Sequence, residues 1–304
     1  MEDKVKSILL VSLSCVGDAV MTTPVLQSLH DSCPNAKVDV ISDSRSAILY
    51  THCPYKQKII LKDKSKFLRG ALDLISKTRK KNYDLIVDLR TDGLAYLFKG
   101  KTRLTKWGSR PYGEHAVENL MGVISKLHGN RRIHDTCVWL TDQEEEFAEE
   151  ALAFLPSGAW VVLVPGNLDQ RKVWPEQNYL KLIESFEDKI DGIILEGSLL
   201  EKECTDSIAS KLKVPVINMA GKTNLLQAAA VIKRAAVFVG SDSGLGHIAG
   251  AVSTPAMLFF SVDRPERVLP WRAKAEFLVS EDENTRNITV NEAAAKLDKI
   301  LKSI

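Results

Sequence analysis

The sequence predicts an α/β protein made of two Rossmann-like halves, each a parallel sheet with crossover helices. Three observations carry that expectation. Apolar runs of strand length alternate with helix-periodic stretches along the whole chain. The length of 304 residues suits two domains, since single hydrophobic cores rarely outgrow ~250 residues. Near the middle the pattern breaks once, at "PSGAW", before a second strand series begins.

Taken in order, the strand candidates of the first half are 5–14, 37–41, 58–61 and 84–89. The opening "MEDKVKSILLVSLSC" imitates a secretion signal, with lysines before a short apolar core and a cysteine after small residues. Glu2 and Asp3 interrupt the basic region, and the run passes straight into Gly17-Asp18 and a helical pattern, so a buried first strand is the better reading. The clearest helix, "DQEEEFAEEALAFL" at 142–155, follows Thr141 as its expected N-cap and crowds acids into its first turn, where the helix dipole favours them. The expected boundary lies near Pro156, giving domains 1–155 and 156–304. Strand candidates of the second half are 160–164, 192–195, 214–217, 237–239 and 255–260.

Composition narrows the function classes. With 45% hydrophobic and 26% charged residues the chain reads as a globular protein rather than a disordered one. Its five cysteines are odd in number and show no CxxC spacing, which argues against a disulfide framework or structural zinc and for a reducing, cytoplasmic setting. No apolar run approaches the ~18 residues of a membrane span. Net charge is only +2, yet residues 56–110 hold sixteen Lys or Arg against five Asp or Glu. That run is either a solvated basic face or a field for an anionic partner. No RNA- or DNA-reading motif accompanies it, so an anionic glycolipid or membrane surface is favoured over nucleic acid.

Three polar turns hold the candidate chemistry. In "VFVGSDSGLGHIAGAV" a strand ends at Gly240 and a small-residue helix begins near Ser243. Unpaired N–H groups and a positive dipole end suit phosphate oxygens there, and Gly244 and Gly246 would let a ligand approach the backbone. A plain capped helix accounts for the same residues. In "VPGNLDQRKVWPEQNY" a strand opens into a loop with Arg171 and Lys172, where open α/β sheets bind ligands; a surface Arg-Lys pair is the plainer reading. In "SLSCVGDAVMTTP", Asp18 stands in a Gly-Asp turn before a helix, either as an N-cap or as a reacting acid. No metal-binding cluster is evident, and "SDS" at 241–243 offers a single carboxylate.

Together these segments resemble the ADP-heptose:lipopolysaccharide heptosyltransferase family, inverting sugar-nucleotide transferases of the GT-B fold. "GDAVMTTP", Lys172-Val173-Trp174-Pro175 and Asp242-Ser243-Gly244-Leu245-Gly246-His247 are similar to the family's motifs. Similarity continues through "NYDLIVDLRTDGLAYL", "HAVEN", "MAGKTNLLQAAAVI" and "STPAMLFFSVDRPERVLPW". The resemblance implies two Rossmann-like domains facing a central cleft, the first binding the acceptor and the second the nucleotide sugar.

The resemblance also implies roles. Asp18 would take the proton of an acceptor hydroxyl, Gly17 would let the acceptor approach, and helix N–H groups would keep the Asp18 carboxylate ionised. Lys172 with the Ser243 and Gly244 N–H groups would hold the diphosphate. Asp242 would bind sugar hydroxyls, and His247 would orient the phosphate loop or pack as a structural histidine. Asn167 and Arg171 would line the pocket. Glu201 would contact ribose or base, or stand as a solvated helix-start charge. Lys62, Lys64 and Lys66 would meet the acceptor. Neither metal nor cofactor is implied; the donor expected is ADP-heptose, with possible contact at the inner-membrane surface. The chain departs from the family at 259–265, bulkier and one residue longer than the usual loop, and at Ser12, where some members carry a cation. Other readings are another nucleotide sugar, a GT-B-fold sugar-nucleotide epimerase, and a catalytically silent nucleotide-sugar-binding protein.

Overall fold

A computed structural model describes residues 5–62, 67–90, 93–129 and 131–303. The chain separates into two compact units, Met1–Trp139 and Leu140–Ile304. The first unit holds β1 (Ser7–Val11), β2 (Lys37–Asp43), β3 (Lys56–Lys62), β4 (Tyr83–Asp88) and β5 (Gly100–Thr105) in the order β3-β2-β1-β4-β5. The second holds β6 (Trp160–Val164), β7 (Gly192–Leu195), β8 (Val216–Asn218), β9 (Val237–Ser241), β10 (Ala256–Phe260) and β11 (Ala275–Val279) in the order β11-β10-β9-β6-β7-β8. Every pairing in both sheets is parallel.

The two units repeat one topology. Each sheet starts at its middle, extends to one side and then returns to extend on the other, so strand order reverses between β1 and β4 and again between β6 and β9. Such switch points open a crevice at the carboxyl ends of the strands, where doubly wound sheets bind ligands. Central position explains why these strands read clearly in the sequence: Ile8, Leu9, Leu10 and Val11 are all fully buried, as strands covered on both faces must be.

The edge strands β5 and β11 escape the sequence reading. "GKTRLT" and "AEFLV" are largely half-buried or exposed; the first lacks an apolar run and the second offers only Phe277-Leu278-Val279. The boundary also needs correction. Helix Asp142–Leu152 was expected to close the first domain but packs in the second unit, its buried Ala148 and Leu152 on one face. The Lys233 ammonium meets Glu145 at 2.6 Å, and the Arg234 guanidinium donates to the Glu145 carbonyl at 3.0 Å. The division therefore falls before this helix, not at Pro156.

Candidate active site

At the first switch point, β1 runs into helix Val16–Ser32, whose N-cap is Cys15. Asp18 is the third residue inside the helix, which rules out the N-cap reading. Two threonines stiffen the turn that carries it. Pro24 has no N–H to offer the Val20 carbonyl, and the Thr23 hydroxyl takes that carbonyl instead at 2.7 Å. The Thr22 hydroxyl donates to the Asp18 carbonyl at 2.9 Å. These bonds give the "DAVMTTP" stretch a structural purpose. Ser12 is buried with its hydroxyl 2.6 Å from that of Tyr50, which donates to the Ala19 carbonyl at 3.1 Å. Gly17 lies buried beside Asp18.

From the neighbouring strand end, the Arg90 N–H donates to the Asp88 carboxylate at 2.8 Å, and its guanidinium bonds the Ser14 hydroxyl. Burial pushes the Asp18 carboxyl above the ordinary aspartate range, while Lys106 and Arg90 pull less strongly the other way. Helix N–H groups were expected to keep this carboxylate ionised; partial burial works against them and against the nearby positive charge, and the raised pKa makes the ionised group a better proton acceptor. Arg90 and Lys106 were missed as partners of Asp18, although Arg90 stands in the "DLR" segment at a strand end. Lys62 ends the edge strand β3; Lys64 and Lys66 lie outside the described residues.

At the second switch point, residues from three loops meet. The Lys172 ammonium lies 2.7 Å from Asp242 Oδ2 and 2.5 Å from Asp263 Oδ2. Asn167 Nδ2 donates to the Asp242 carbonyl at 3.2 Å, and the Ser241 hydroxyl donates to the Lys172 carbonyl. Trp174 anchors this loop: fully buried, it lies 4.5 Å from the Phe259 ring and 4.9 Å from Tyr179, and its indole N–H donates to the Ile288 carbonyl at 2.9 Å. Burial pulls the Lys172 pKa down, but hydrogen bonds to both carboxylates outweigh it and raise it overall. Lys172 in turn holds Asp263 below the usual carboxylate range, whereas burial lifts Asp242.

Ser243 caps helix Gly244–Ala251, its hydroxyl accepting the Gly246 N–H at 3.4 Å, and His247 is buried within the first turns. A Cβ on Gly246 would come within 3.0 Å of the Leu258 side chain, so helix–sheet packing also favours a glycine here. Arg171 stands apart from Lys172: its guanidinium grips Asp169 at 2.7 and 3.1 Å and draws that carboxyl down to about 2. Glu201 accepts the Ser198 N–H at 2.6 Å and lies over Gly166, where a Cβ would fall 2.5 Å from it. Its side chain thus packs closely against the backbone of the β6 exit, where only a glycine leaves room for it.

Sequence reasoning missed two acids of this unit. Asp263 lies in the loop flagged as unusual, yet only the fold brings it to Lys172. Glu196, directly after β7, is buried and pushed up to about 8 by desolvation, against the Thr223 hydroxyl at 2.9 Å. Its Oε1 has no hydrogen-bond partner among the described residues. An acid flush against the apolar run Ile193-Ile194-Leu195 was the available signal.

Solved structures share this architecture from end to end. A glycosyl transferase family 9 protein from Veillonella parvula superposes with a TM-score of 0.90 at 17% identity, covering 100% of this chain and 99% of its own. E. coli ADP-heptose lps heptosyltransferase II gives 0.81 at 21% identity, covering 98% and 99%. Among curated proteins, lipopolysaccharide heptosyltransferase 3 of Escherichia coli K12 is 26% identical over 84% of this chain and 82% of its own. The fold is that of the GT-B glycosyltransferases. Residues 71–297 match glycosyltransferase family 9 (heptosyltransferase), and the chain belongs to that family.

Proposed function

We propose that this enzyme transfers a heptose from ADP-heptose to a hydroxyl of a lipopolysaccharide-type core glycan, with inversion and without a metal ion. The observation that carries this reading is the Lys172–Asp242 pair at 2.7 Å, set at the switch point directly before the Ser243 helix start. A cation beside a helix N-terminus suits a diphosphate, and both offset charge that grows on the leaving group. E. coli heptosyltransferase WaaC, of the same fold, has been solved with ADP, at 19% identity and a TM-score of 0.78.

In the proposed reaction the acceptor oxygen attacks the anomeric carbon from the face opposite the diphosphate. The acceptor O–H proton passes to the Asp18 carboxylate, the new C–O bond forms, and the electrons of the breaking C–O bond stay on ADP. Asn167 supports the phosphate side by fixing the Asp242 backbone. Asp242 binds sugar hydroxyls, and His247 orients the helix start from within. Arg171, paired with Asp169, serves the loop rather than the diphosphate. Acting on a lipid-anchored glycan, the enzyme works at the cytoplasmic face of the inner membrane; among the described residues no helix is long and apolar enough to cross it.

The test is incubation with a panel of ADP-, UDP- and GDP-sugars, scoring thermal stabilisation and nucleotide release. ADP-heptose alone should do both when a core glycan is present. Stabilisation by a UDP- or GDP-sugar instead would replace the donor assignment, and binding without release under any acceptor would mark a silent member of the family.

A further inference from the structure

Two exposed aromatic rings of the first unit stand where nothing described above uses them. Tyr96 lies in the single 3-10 turn Leu94–Leu97 that joins β4 to β5, and Trp107 lies two residues beyond the end of β5. Their rings stack with centroids 5.6 Å apart and planes 22° from parallel, yet they remain 54% and 61% exposed. Leaving such area wet costs free energy that burial would recover. The pair is therefore a ready surface.

The backbone beneath it is built to stay in place. The Arg103 guanidinium donates to three carbonyls in and just after the Tyr96 turn, Ala95 at 3.1 Å, Phe98 at 2.7 Å and Gly100 at 3.0 Å. Arg79 adds a fourth bond, to Leu97 at 2.9 Å, and the Ala95 and Phe98 side chains are buried in the core. Gly93 opens the turn with φ of 72°, and a Cβ there would touch the Trp107 ring at 3.8 Å. Behind the indole, the Ser109 hydroxyl closes a tight turn onto the Lys106 carbonyl at 2.9 Å. Lys106, the residue next to Trp107, is one of the two cations acting on Asp18.

We infer that Tyr96 and Trp107 form a stacking platform for one pyranose ring of the acceptor glycan. A pyranose presents an apolar face of C–H bonds with its hydroxyls around the rim. Those C–H groups suit the electron-rich face of an aromatic ring, and the rim hydroxyls and any acidic substituent meet Lys106. Trp107 follows the carboxyl end of β5 in the sheet that bears Asp18, and its neighbour Lys106 acts on Asp18, so a sugar held there belongs to the acceptor. This step rests on the reading of Asp18 as the base in the acceptor half.

The test uses a lipid-free core oligosaccharide and the full-length protein. Trp107→Ala should raise the oligosaccharide KM about tenfold, the equivalent of ~1.4 kcal/mol, with kcat and the ADP-heptose KM unchanged. Trp107→Phe should restore most of the loss, which a merely structural role would not predict, and Tyr96→Ala should give a smaller rise. A binding arm follows tryptophan fluorescence as the oligosaccharide is added, with no donor present. If wild type binds through Trp107 but transfers nothing, the transferase reading fails and the platform stands. Equal affinity of wild type and Trp107→Ala for the soluble oligosaccharide would overturn the platform. So would a defect confined to acceptor in anionic vesicles and matched by lost vesicle binding, since the rings would then anchor to the membrane.

Discussion

Lys172 and Asp242, seventy residues apart in sequence, meet in a 2.7 Å ion pair at the point where the second sheet reverses its strand order. The same ammonium is shared with Asp263 at 2.5 Å. One cation thus faces two carboxylates, and a diphosphate docking on Lys172 as proposed would take the place of one of them. Asp263, half exposed on the unusual loop, is the one that can leave.

Removing Lys172 and removing Asp263 should then act in opposite directions. Lys172→Ala should weaken ADP by roughly 1.5–3 kcal/mol, the worth of hydrogen bonds to a charged group. Asp263→Asn should tighten ADP about two- to fivefold, because a half-exposed ion pair is worth under ~1 kcal/mol. Calorimetry in EDTA reads both, and ADP binding that vanished there would sink the metal-free mechanism. Weaker ADP binding in Asp263→Asn would mean that the loop supports the phosphates instead of competing for Lys172.

Asp18→Asn should keep the fold and the ADP affinity but lose at least ~100-fold in turnover, the usual scale for a missing general base. The sign of the pH effect follows from burial. A base must be deprotonated, so activity falls as pH drops through its pKa, and a raised pKa places that acid limb above the ordinary aspartate range. Lys106 and Arg90 lower it, so Lys106→Met should move the limb of kcat/KM to higher pH. A limb that stays put in Lys106→Met, or near-normal turnover in Asp18→Asn, would end the base assignment.

Glu196 gives a prediction about stability alone. Its carboxyl is pushed up to about 8 in the folded state, chiefly by desolvation, whereas an unfolded glutamate titrates near ~4.3. The folded form therefore holds the extra proton between those values, and its stabilising share is full below pH ~4, then lost as pH rises to about 8, by up to ~1.4 kcal/mol per pH unit. Glu196→Gln should flatten the fall of Tm between pH 5 and 8.5 and raise Tm at the upper end. Parallel Tm curves for the two proteins would show that the carboxyl is better solvated than its burial implies.

The contrast between what the sequence discloses and what it hides follows burial and range. Central strands such as β1 and β6 announce themselves because they are covered on both faces. The edge strands β5 and β11 do not: half of each meets solvent, and the charged residues of β5 and the short "FLV" of β11 give less signal than the "KIIL" and "VPVI" that mark the equally exposed edges β3 and β8. Asp18, Lys172, Asp242 and Ser243 stand out because each lies at or beside the end of a regular element, Asp18 in the first turn of its helix. Their partners are not: Asp263 reaches Lys172 across 91 residues, and Arg90 and Lys106 reach Asp18 only through strand order. Gly246 shows the converse case, a position whose packing against Leu258 no local pattern discloses.

The basic stretch 56–110 yields the last prediction. Several of its cations already have internal partners: Lys81 meets Asp39 at 3.1 Å, Lys101 meets Asp84 at 2.7 Å, and Arg79 and Arg103 hold the Tyr96 turn. The raw count therefore overstates the field open to an anionic acceptor, and the triplet Lys62, Lys64 and Lys66 puts what remains of it to the test. If they draw phosphate or carboxylate groups of the glycan, acceptor KM should rise steeply between ~0.05 and 0.3 M salt, where the screening length drops below ~10 Å. The ADP-heptose KM should change much less, because Lys172 and Asp242 are only 15% and 11% exposed and buried charges are poorly screened. Replacing the three lysines by Gln together should flatten the acceptor slope without moving the donor slope. Equal slopes for both substrates in the wild type would reduce the charge run to a solvated face.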